Sequence, residues 1–105
     1  MHVQQFYKKN QFIITGDDGA RVFQSYDSTI ARIDAAGRLT VATEWDYSAT
    51  TRKHFYLFLN DYKYNIAADQ YAPIFAHSEN INNSKYKRAF FQKIIDKKIV
   101  KIKKL

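Results

Sequence analysis

The chain has 105 residues, of which 46% are hydrophobic and 16% aromatic, with a formal net charge of +7 at pH 7. This length fits one domain (residues 1–105), and its content of large apolar side chains can bury a core, which excludes a disordered chain. The absence of cysteine excludes disulfides and thiolate metal sites, and no apolar run approaches the roughly 20 residues of a membrane-spanning helix.

The first 47 residues are predicted to form short β-strands. Aromatic and β-branched residues are frequent there, and Gly16-Asp17-Asp18-Gly19 has the chemistry of a tight hairpin turn, so Asp17 and Asp18 are interpreted as turn residues. The predicted strands are residues 3–7, 12–15, 20–26, 29–34 and 38–45, with Lys8-Lys9-Asn10 as a polar turn. Short strands joined by brief turns predict an antiparallel meander.

The fifth predicted strand, residues 38–45, shows the clearest alternation of apolar and polar side chains. One face is formed by Leu39, Val41, Thr43 and Trp45. We expect this face to pack and the opposite face to contact water. Trp45 is the only tryptophan, and we expect it to be largely buried where the sheet meets the next element.

A helix is predicted over residues 48–63. Ser48 is the predicted N-cap, with Asp46 or Thr50 as alternatives, because a side-chain oxygen there can accept from the free N–H groups of the first turn. The predicted buried stripe is Thr51, Phe55, Phe58, Leu59 and Tyr62. This stripe indicates that the helix lays one aromatic face on the sheet.

The last third of the chain is predicted to be a loop followed by a helix. Pro73 blocks a helix interior, so residues 64–84 are interpreted as a structured loop with a short helical turn near Ala67. A second helix is predicted over residues 85–98, with Phe90, Phe91, Ile94 and Ile95 as its apolar face. Residues 99–103 are predicted to be an edge strand or a frayed end. The fold class is therefore α+β: an antiparallel meander of about five strands packed by one or two C-terminal helices.

Positive charge is concentrated in the segment 85–105, the basic helix and tail. It contains a single acid, Asp96, and nine basic residues: Lys85, Lys87, Arg88, Lys93, Lys97, Lys98, Lys101, Lys103 and Lys104. This excess predicts a polyanionic partner, such as DNA, RNA or a nucleoprotein, or an acidic protein surface. The alternative is that the lysines only keep the protein soluble.

Four short segments carry a resemblance to a known group of proteins. They are Phe23-Gln24-Ser25-Tyr26, Ile30-Ala31-Arg32-Ile33, Trp45-Asp46-Tyr47-Ser48 and Thr50-Thr51-Arg52-Lys53. Together they resemble a family of small uncharacterised proteins from phages and other mobile elements of low-GC Gram-positive bacteria, with a pattern close to F-Q-S-Y…I-A…W-D-Y-S-x-T-T-x-K. The resemblance covers residues 12–60, and His54 stands where that family usually has an aromatic residue.

The resemblance implies a phage or plasmid accessory protein that acts in the host cytoplasm, but it implies no particular activity. Small accessory proteins of this kind are often anti-defence factors, including CRISPR inhibitors. The motif residues Trp45, Asp46, Tyr47, Ser48, Thr50, Thr51, Arg52 and Lys53 are expected to serve either structure or binding.

The residue patterns favour a binding protein over an enzyme. His2, His54 and His77 are not spaced as a zinc ligand set, so we expect no metal and no cofactor. A Thr50–His54 pair, four residues apart on a helix, is geometrically possible as nucleophile and base, but hydroxyl groups at a helix start are more simply caps. The scattered glycines form no phosphate-binding loop.

Three functions therefore remain open. The first is an anti-defence inhibitor that binds and occludes a host nucleic-acid-binding complex. The second is a phage protein that binds DNA or RNA directly and without sequence preference. The third is a structural interaction module with a solubilising basic tail.

Overall fold

The computed structural model describes residues 1–75 and 84–105, with side chains described for 1–75 and 88–105. In this part of the chain, six strands form one sheet in the order β1-β2-β3-β4-β5-β6, and three helices pack against it. The strands are β1 (His2–Phe6), β2 (Lys8–Thr15), β3 (Arg21–Ser25), β4 (Ser28–Ile33), β5 (Leu39–Ala42) and β6 (Lys101–Lys103). The helices are α1 (Ala49–Asp61), α2 (Ala68–Phe75) and α3 (Ser84–Asp96), and Lys63–Asn65 forms a single 3-10 turn. The predicted α+β fold, a meander packed by C-terminal helices, is confirmed.

The strands β1 to β5 form the predicted antiparallel meander. Each pairs with the next strand along the chain. The turn between β2 and β3 is closed by a bond from the Gly19 N–H to the Gly16 carbonyl at 3.0 Å, and Gly19 has a φ of +89°. Asp18 accepts from the Ala20 N–H at 3.0 Å, as expected of an Asp that shapes a turn.

The first hairpin turns earlier than predicted. Lys8 already pairs with Phe6, and the chain reverses at Tyr7 with a positive φ of 62°, so the predicted polar turn at residues 8–10 is wrong. The Tyr7 hydroxyl donates to the carboxylate of Asp61 at 2.9 Å, which raises the pKa of Tyr7. This bond ties the first hairpin to the end of α1.

The strand β5 is shorter than the predicted strand 38–45. Leu39, Val41 and Trp45 are buried as expected, but Thr43 is exposed. The reason is a turn: the Trp45 N–H donates to the Ala42 carbonyl at 3.1 Å, so strand pairing ends at Ala42 and the alternation stops there.

Trp45 joins the sheet to two helices. Its ring centroid lies 5.8 Å from that of Phe55 on α1 and 5.2 Å from that of Phe91 on α3. The rings of Phe55 and Phe91 meet edge to face at 5.0 Å. All three side chains are buried, which confirms the predicted position of Trp45.

The helix α1 buries a wider face than predicted. Within the predicted stripe Thr51, Phe55, Phe58 and Leu59 are buried and Tyr62 is half-buried. His54 and Tyr56 are buried as well. Tyr56 is covered by α3, since its ring lies 6.2 Å from that of Phe91. Burial raises the pKa of Tyr56.

The helix α2 lies where a loop was predicted. Pro73 stands inside it. Proline removes the bond that its N–H would make to the carbonyl four residues earlier, that of Asp69. Asp69 is exposed in the first turn of a short helix, so water can satisfy that carbonyl and the helix tolerates the proline. Residues 76–83 of the predicted loop lie outside the described residues.

The start of α2 lies close to the turn that precedes β5, and an ion pair joins the two. Gly37 has a φ of +86°, and a Cβ there would lie 2.8 Å from the Asn65 carbonyl oxygen and 3.0 Å from the Ala67 nitrogen, so the site requires glycine. Nearby, the Arg38 guanidinium donates to both carboxylate oxygens of Asp69 at 2.6 Å. That hydrogen bonding lowers the pKa of Asp69.

The buried side chain of Gln70, on α2, holds the outer edge of β5. The Leu39 N–H donates to Gln70 Oε1 at 2.7 Å, while Gln70 Nε2 donates to the carbonyls of Leu39 at 3.1 Å and Ile99 at 3.0 Å. Pairing between β5 and β6 begins one residue later, at Thr40 with Lys101. The amide of Gln70 therefore makes the hydrogen bonds to Leu39 that a neighbouring strand would otherwise make, one residue before the pairing with β6 begins.

The helix α3 ends in a turn that directs the chain back to the sheet. The predicted apolar face is confirmed: Phe91, Ile94 and Ile95 are buried, and Phe90 is partly buried. The helix stops at Asp96 rather than residue 98, because Lys98 adopts a positive φ of 61°. The N–H groups of Lys98 and Ile99 close this turn on the carbonyls of Ile95 and Ile94, the pattern of a Schellman cap.

The strand β6 pairs with β5 in parallel, so the edge-strand alternative for residues 99–103 is correct. A parallel pair needs a long crossover, which the helices between the two strands supply. Val100, directly before β6, is 1% exposed. The segment interpreted as a basic tail is therefore an integral part of the folded structure.

Phe58→Ala is expected to lower the free energy of unfolding by about 3–5 kcal/mol, because a fully buried ring is removed and a cavity remains. The Phe58 ring stacks on Phe23 with a centroid separation of 5.6 Å. Urea unfolding measures the change. Asn60→Ala, at an exposed position of the same helix, is the control and should change stability by less than about 0.5 kcal/mol. A loss of stability below about 1 kcal/mol for Phe58→Ala would contradict this packing.

Gln70→Leu is expected to lower the free energy of unfolding by about 2–4 kcal/mol, since each buried polar group left without a partner costs about 1–3 kcal/mol. Gln92→Leu is the matched control, because its amide donates at 3.0 Å to the exposed Asp96. The control should be close to wild type in urea unfolding. Equal effects of the two substitutions would show that Gln70 does not hold β5.

Candidate functional site

An open groove of about 570 Å³ lies between the turn that joins β3 to β4 and the start of α1. Residues from three parts of the chain line it: the end of β3 with the following turn, the turn after β5, and the first turn of α1. Those used below are Ser25, Tyr26, Asp27, Ser28, Glu44, Tyr47 and Thr50. We call this site the tyrosine groove.

Residues from all four segments that carry the sequence resemblance line the tyrosine groove. Ser25 and Tyr26 end the first segment, and Tyr47 belongs to the third. These two segments are about 20 residues apart in the sequence, and the fold places them side by side. The sequence alone does not predict this site, because only the folded chain brings these segments together.

Tyr26 is an exposed aromatic residue held in a strained backbone conformation. Its φ is 54°, in the left-handed region that bulky side chains rarely adopt, and 62% of the residue is exposed. Two bonds fix it: its N–H donates to the Asn10 carbonyl at 2.6 Å, and its carbonyl accepts from Gln24 Nε2 at 2.9 Å. Strain of this kind often occurs at binding sites, where the surrounding structure enforces it.

Tyr47 is the second exposed tyrosine of the groove, with 83% of its surface accessible. Its N–H donates to the Glu44 carbonyl at 3.0 Å, which anchors the turn that carries it. Large exposed aromatic rings on a fixed backbone are typical anchors of binding surfaces, because they bury much area while losing little conformational freedom.

Both charged residues that line the groove are acidic. They are Asp27, which is exposed, and Glu44, which is partly buried. In the described part of the chain, neither takes part in an ion pair. The groove is thus an acidic spot on a chain whose net charge is +7.

The motif at residues 45–53 divides into structural and exposed positions. Trp45 and Thr51 are buried, and Ser48 is the N-cap, since its hydroxyl oxygen accepts from the Thr51 N–H at 3.0 Å. Asp46, an alternative cap, instead accepts from Arg88 Nε at 2.9 Å. The exposed positions are Tyr47, Thr50 and Lys53, and Arg52 is partly exposed.

The pairing of Thr50 with His54 does not form a nucleophile and base. His54 is 2% exposed, and its Nδ1 donates to the backbone carbonyl of Thr50 at 2.8 Å rather than to the hydroxyl. His2 lies exposed on β1, and residue 77 lies outside the described residues. Among the residues that the structure describes, no group of three or more His, Asp or Glu could hold a metal ion.

The basic residues at the end of the chain fall into three groups. Lys93, Lys97, Lys98, Lys101, Lys103 and Lys104 are exposed, and we call them the C-terminal lysines. Arg88 is engaged with Asp46 and ties α3 to the turn before α1. Lys85 and Lys87 lie in the first turns of α3, and their side chains are not among those described.

Ser48→Ala is expected to lower the free energy of unfolding by about 1 kcal/mol, the usual cost of losing an N-cap. The Ser48 hydroxyl oxygen accepts from the Thr51 N–H, and the hydroxyl oxygens of Ser48 and Thr51 are 3.0 Å apart. Thermal and urea unfolding give the value. Thr50→Ala is the control, because Thr50 is exposed in the same turn. A Ser48→Ala variant as stable as this control would show that the hydroxyl is not the cap.

None of the helices in the described ranges has the length and apolar character needed to cross a membrane.

Comparison with known proteins places the chain in a family. A search of curated proteins and a search of solved structures each returned no match. A family model does match residues 1–72, a region that contains the whole tyrosine groove and ends before α3. The chain belongs to DUF8033, a family of unknown function.

Proposed function

We propose that the protein is a non-enzymatic accessory factor of a phage or another mobile element, and that it inhibits host defence in the manner of an anti-CRISPR protein. It binds a host nucleic-acid-binding complex in the cytoplasm and occludes it. The observation that carries this proposal is the placement of the C-terminal lysines on a folded strand and the adjacent helix end. The resemblance at residues 12–60 supports the mobile-element setting.

The C-terminal lysines are available for an external partner. No ion pair among the described residues involves them. Because β6 is paired with β5, Lys101 and Lys103 project from a fixed backbone, and binding does not have to order a loose segment. These unpaired positive charges on a fixed backbone are therefore suited to bind an acidic partner surface.

Charge also restricts how such a partner is contacted. An empty nucleic-acid-binding channel is itself basic and would repel these lysines. Phosphates of a nucleic acid already held by the complex, or an acidic protein surface, would attract them. The favoured partner is thus a loaded nucleoprotein complex.

The second candidate is direct binding of DNA or RNA, favoured by the same unpaired lysines. Binding through the basic segment 85–105 would not read sequence, because base readout depends strongly on arginine and the one arginine of this segment, Arg88, is bonded to Asp46. Both candidates predict that binding depends on the C-terminal lysines. They differ in the captured partner, which is a host nucleoprotein complex for the first candidate and DNA or RNA itself for the second.

Replacing Lys101, Lys103 and Lys104 together by Gln is expected to weaken partner binding while leaving the melting temperature unchanged, because exposed charges contribute little to stability. The measurement is capture from a lysate of a low-GC Gram-positive host, with and without nuclease, together with gel shifts on RNA and duplex DNA. For a nucleic acid, the salt slope should fall by about 0.7–0.9 for each phosphate that the variant no longer neutralises.

The control removes two exposed lysines elsewhere, Lys8 and Lys9, which lie on β2 and outside the motif at residues 45–53. Capture of a host nucleoprotein supports inhibition if the capture depends on the C-terminal lysines and persists after nuclease treatment. Loss of all capture after nuclease, with positive gel shifts, would replace inhibition by direct nucleic-acid binding. If the triple variant and the control bind alike, the C-terminal lysines only confer solubility and the proposal is wrong.

A further inference from the structure

The tyrosine groove has no role in the function proposed above, and its chemistry differs from that of the C-terminal lysines. Its residues come from the β3–β4 turn, the turn after β5 and the start of α1. All of them lie within the region that matches the family. The groove is therefore a site separate from the C-terminal lysines.

Charge defines the class of occupant. Asp27 and Glu44 are the charged residues of the groove, no lysine or arginine lines it, and neither acid is paired among the described residues. A phosphate would be repelled here, although the chain as a whole is basic. The occupant is cationic.

The aromatic residues narrow the choice of cation. Tyr26 and Tyr47 are exposed and line the same groove as the two acids, and aromatic rings attract cations through their π faces. Arginine makes such contacts more often than lysine, and its planar guanidinium also bonds carboxylates with two parallel N–H groups. Arginine thus satisfies the carboxylates and the rings together.

The hydrogen-bonding groups and the size of the groove agree with this occupant. A guanidinium carries five N–H donors and no acceptor. The groove offers acceptors beyond the two carboxylates, in the hydroxyl oxygens of Ser28 and Thr50, which belong to exposed residues. Its volume of about 570 Å³ falls within the range of ligand pockets and accommodates a segment of chain around the arginine.

We propose that the tyrosine groove binds an arginine side chain on a loop of a protein partner, with the guanidinium against the rings of Tyr26 and Tyr47 and its N–H groups directed at Asp27 and Glu44. The backbone of Tyr26 is already held in place before the partner arrives, by its bonds to Asn10 and Gln24. The inference rests on the groove alone and does not depend on the C-terminal lysines.

The test is a titration of the full chain with the peptide acetyl-Gly-Arg-Gly-amide, followed by amide chemical shifts in NMR. We expect saturable shifts at the amides of Tyr26, Asp27, Glu44 and Tyr47, with a dissociation constant in the millimolar range that is usual for a single anchoring side chain, on the order of 1 mM. The same peptide with citrulline, which is neutral and of similar shape, should bind at least about tenfold more weakly.

Three results would overturn the proposal. They are equal binding of the arginine and citrulline peptides, shifts located outside the groove, and tighter binding of a thymidine dinucleotide at the groove. The last result would show that the groove stacks nucleic-acid bases instead. Each result is measurable with the wild-type chain, so none depends on a variant that fails to fold.

Two substitutions locate the interaction, each with a matched control. Tyr47→Leu should weaken binding of the arginine peptide severalfold, whereas Tyr64→Leu should leave this binding unchanged. Tyr64 is the matched control because the two tyrosines are equally accessible, at 83% and 84% exposed. Glu44→Gln should weaken it and reduce the difference between the arginine and citrulline peptides, whereas Asp96→Asn should have no effect. Melting temperatures establish that all four variants are folded. Equal effects within either pair would contradict the proposal.

Discussion

The place of β6 beside β5 depends on one buried side chain, Gln70. A strand that is buried at its edge must have partners for its N–H and carbonyl groups, and β5 finds them in the amide of Gln70 before β6 begins. The same amide also binds the carbonyl of Ile99 and so aligns β6 with β5. The aromatic contact of Trp45 with Phe91 fixes α3 at the other end of this crossover. Together these contacts convert a lysine-rich segment into part of the domain.

This arrangement gives the protein two surfaces of opposite charge. The C-terminal lysines stand on a fixed strand and helix end, whereas the tyrosine groove is acidic and lies in the region that matches the family. A partner that carries both nucleic acid and exposed arginines could contact both surfaces at once. Two weak contacts on one partner raise the overall affinity through their effective concentration, without any single strong site.

The local part of this structure could be predicted from the sequence. The antiparallel order of the first five strands, the Ser48 cap and the burial of Trp45 follow from short-range rules, and all three are confirmed. The predicted turn at residues 8–10 and the predicted end of the fifth strand were wrong. The parallel pairing of β6 and the role of Gln70 could not be predicted, because they depend on contacts about 60 and about 30 residues apart in the sequence. The tyrosine groove was missed for the same reason. Its signals in the sequence were Tyr26, Tyr47 and Thr50 within resembling segments, and the turn residues Asp27 and Ser28.

The central claim is that residues 101–103 form a strand of the folded domain and not a flexible basic tail. Native-state hydrogen exchange, measured by NMR on the wild-type chain, tests it most directly. Since a tenfold slowing corresponds to about 1.4 kcal/mol, an opening free energy of about 3 kcal/mol predicts that the β6 amides bonded to β5 exchange roughly a hundredfold more slowly than in an unstructured peptide. Exchange of all amides from Lys101 to Lys103 at the rate of an unstructured peptide, while those of β3 and β4 remain protected, would contradict it.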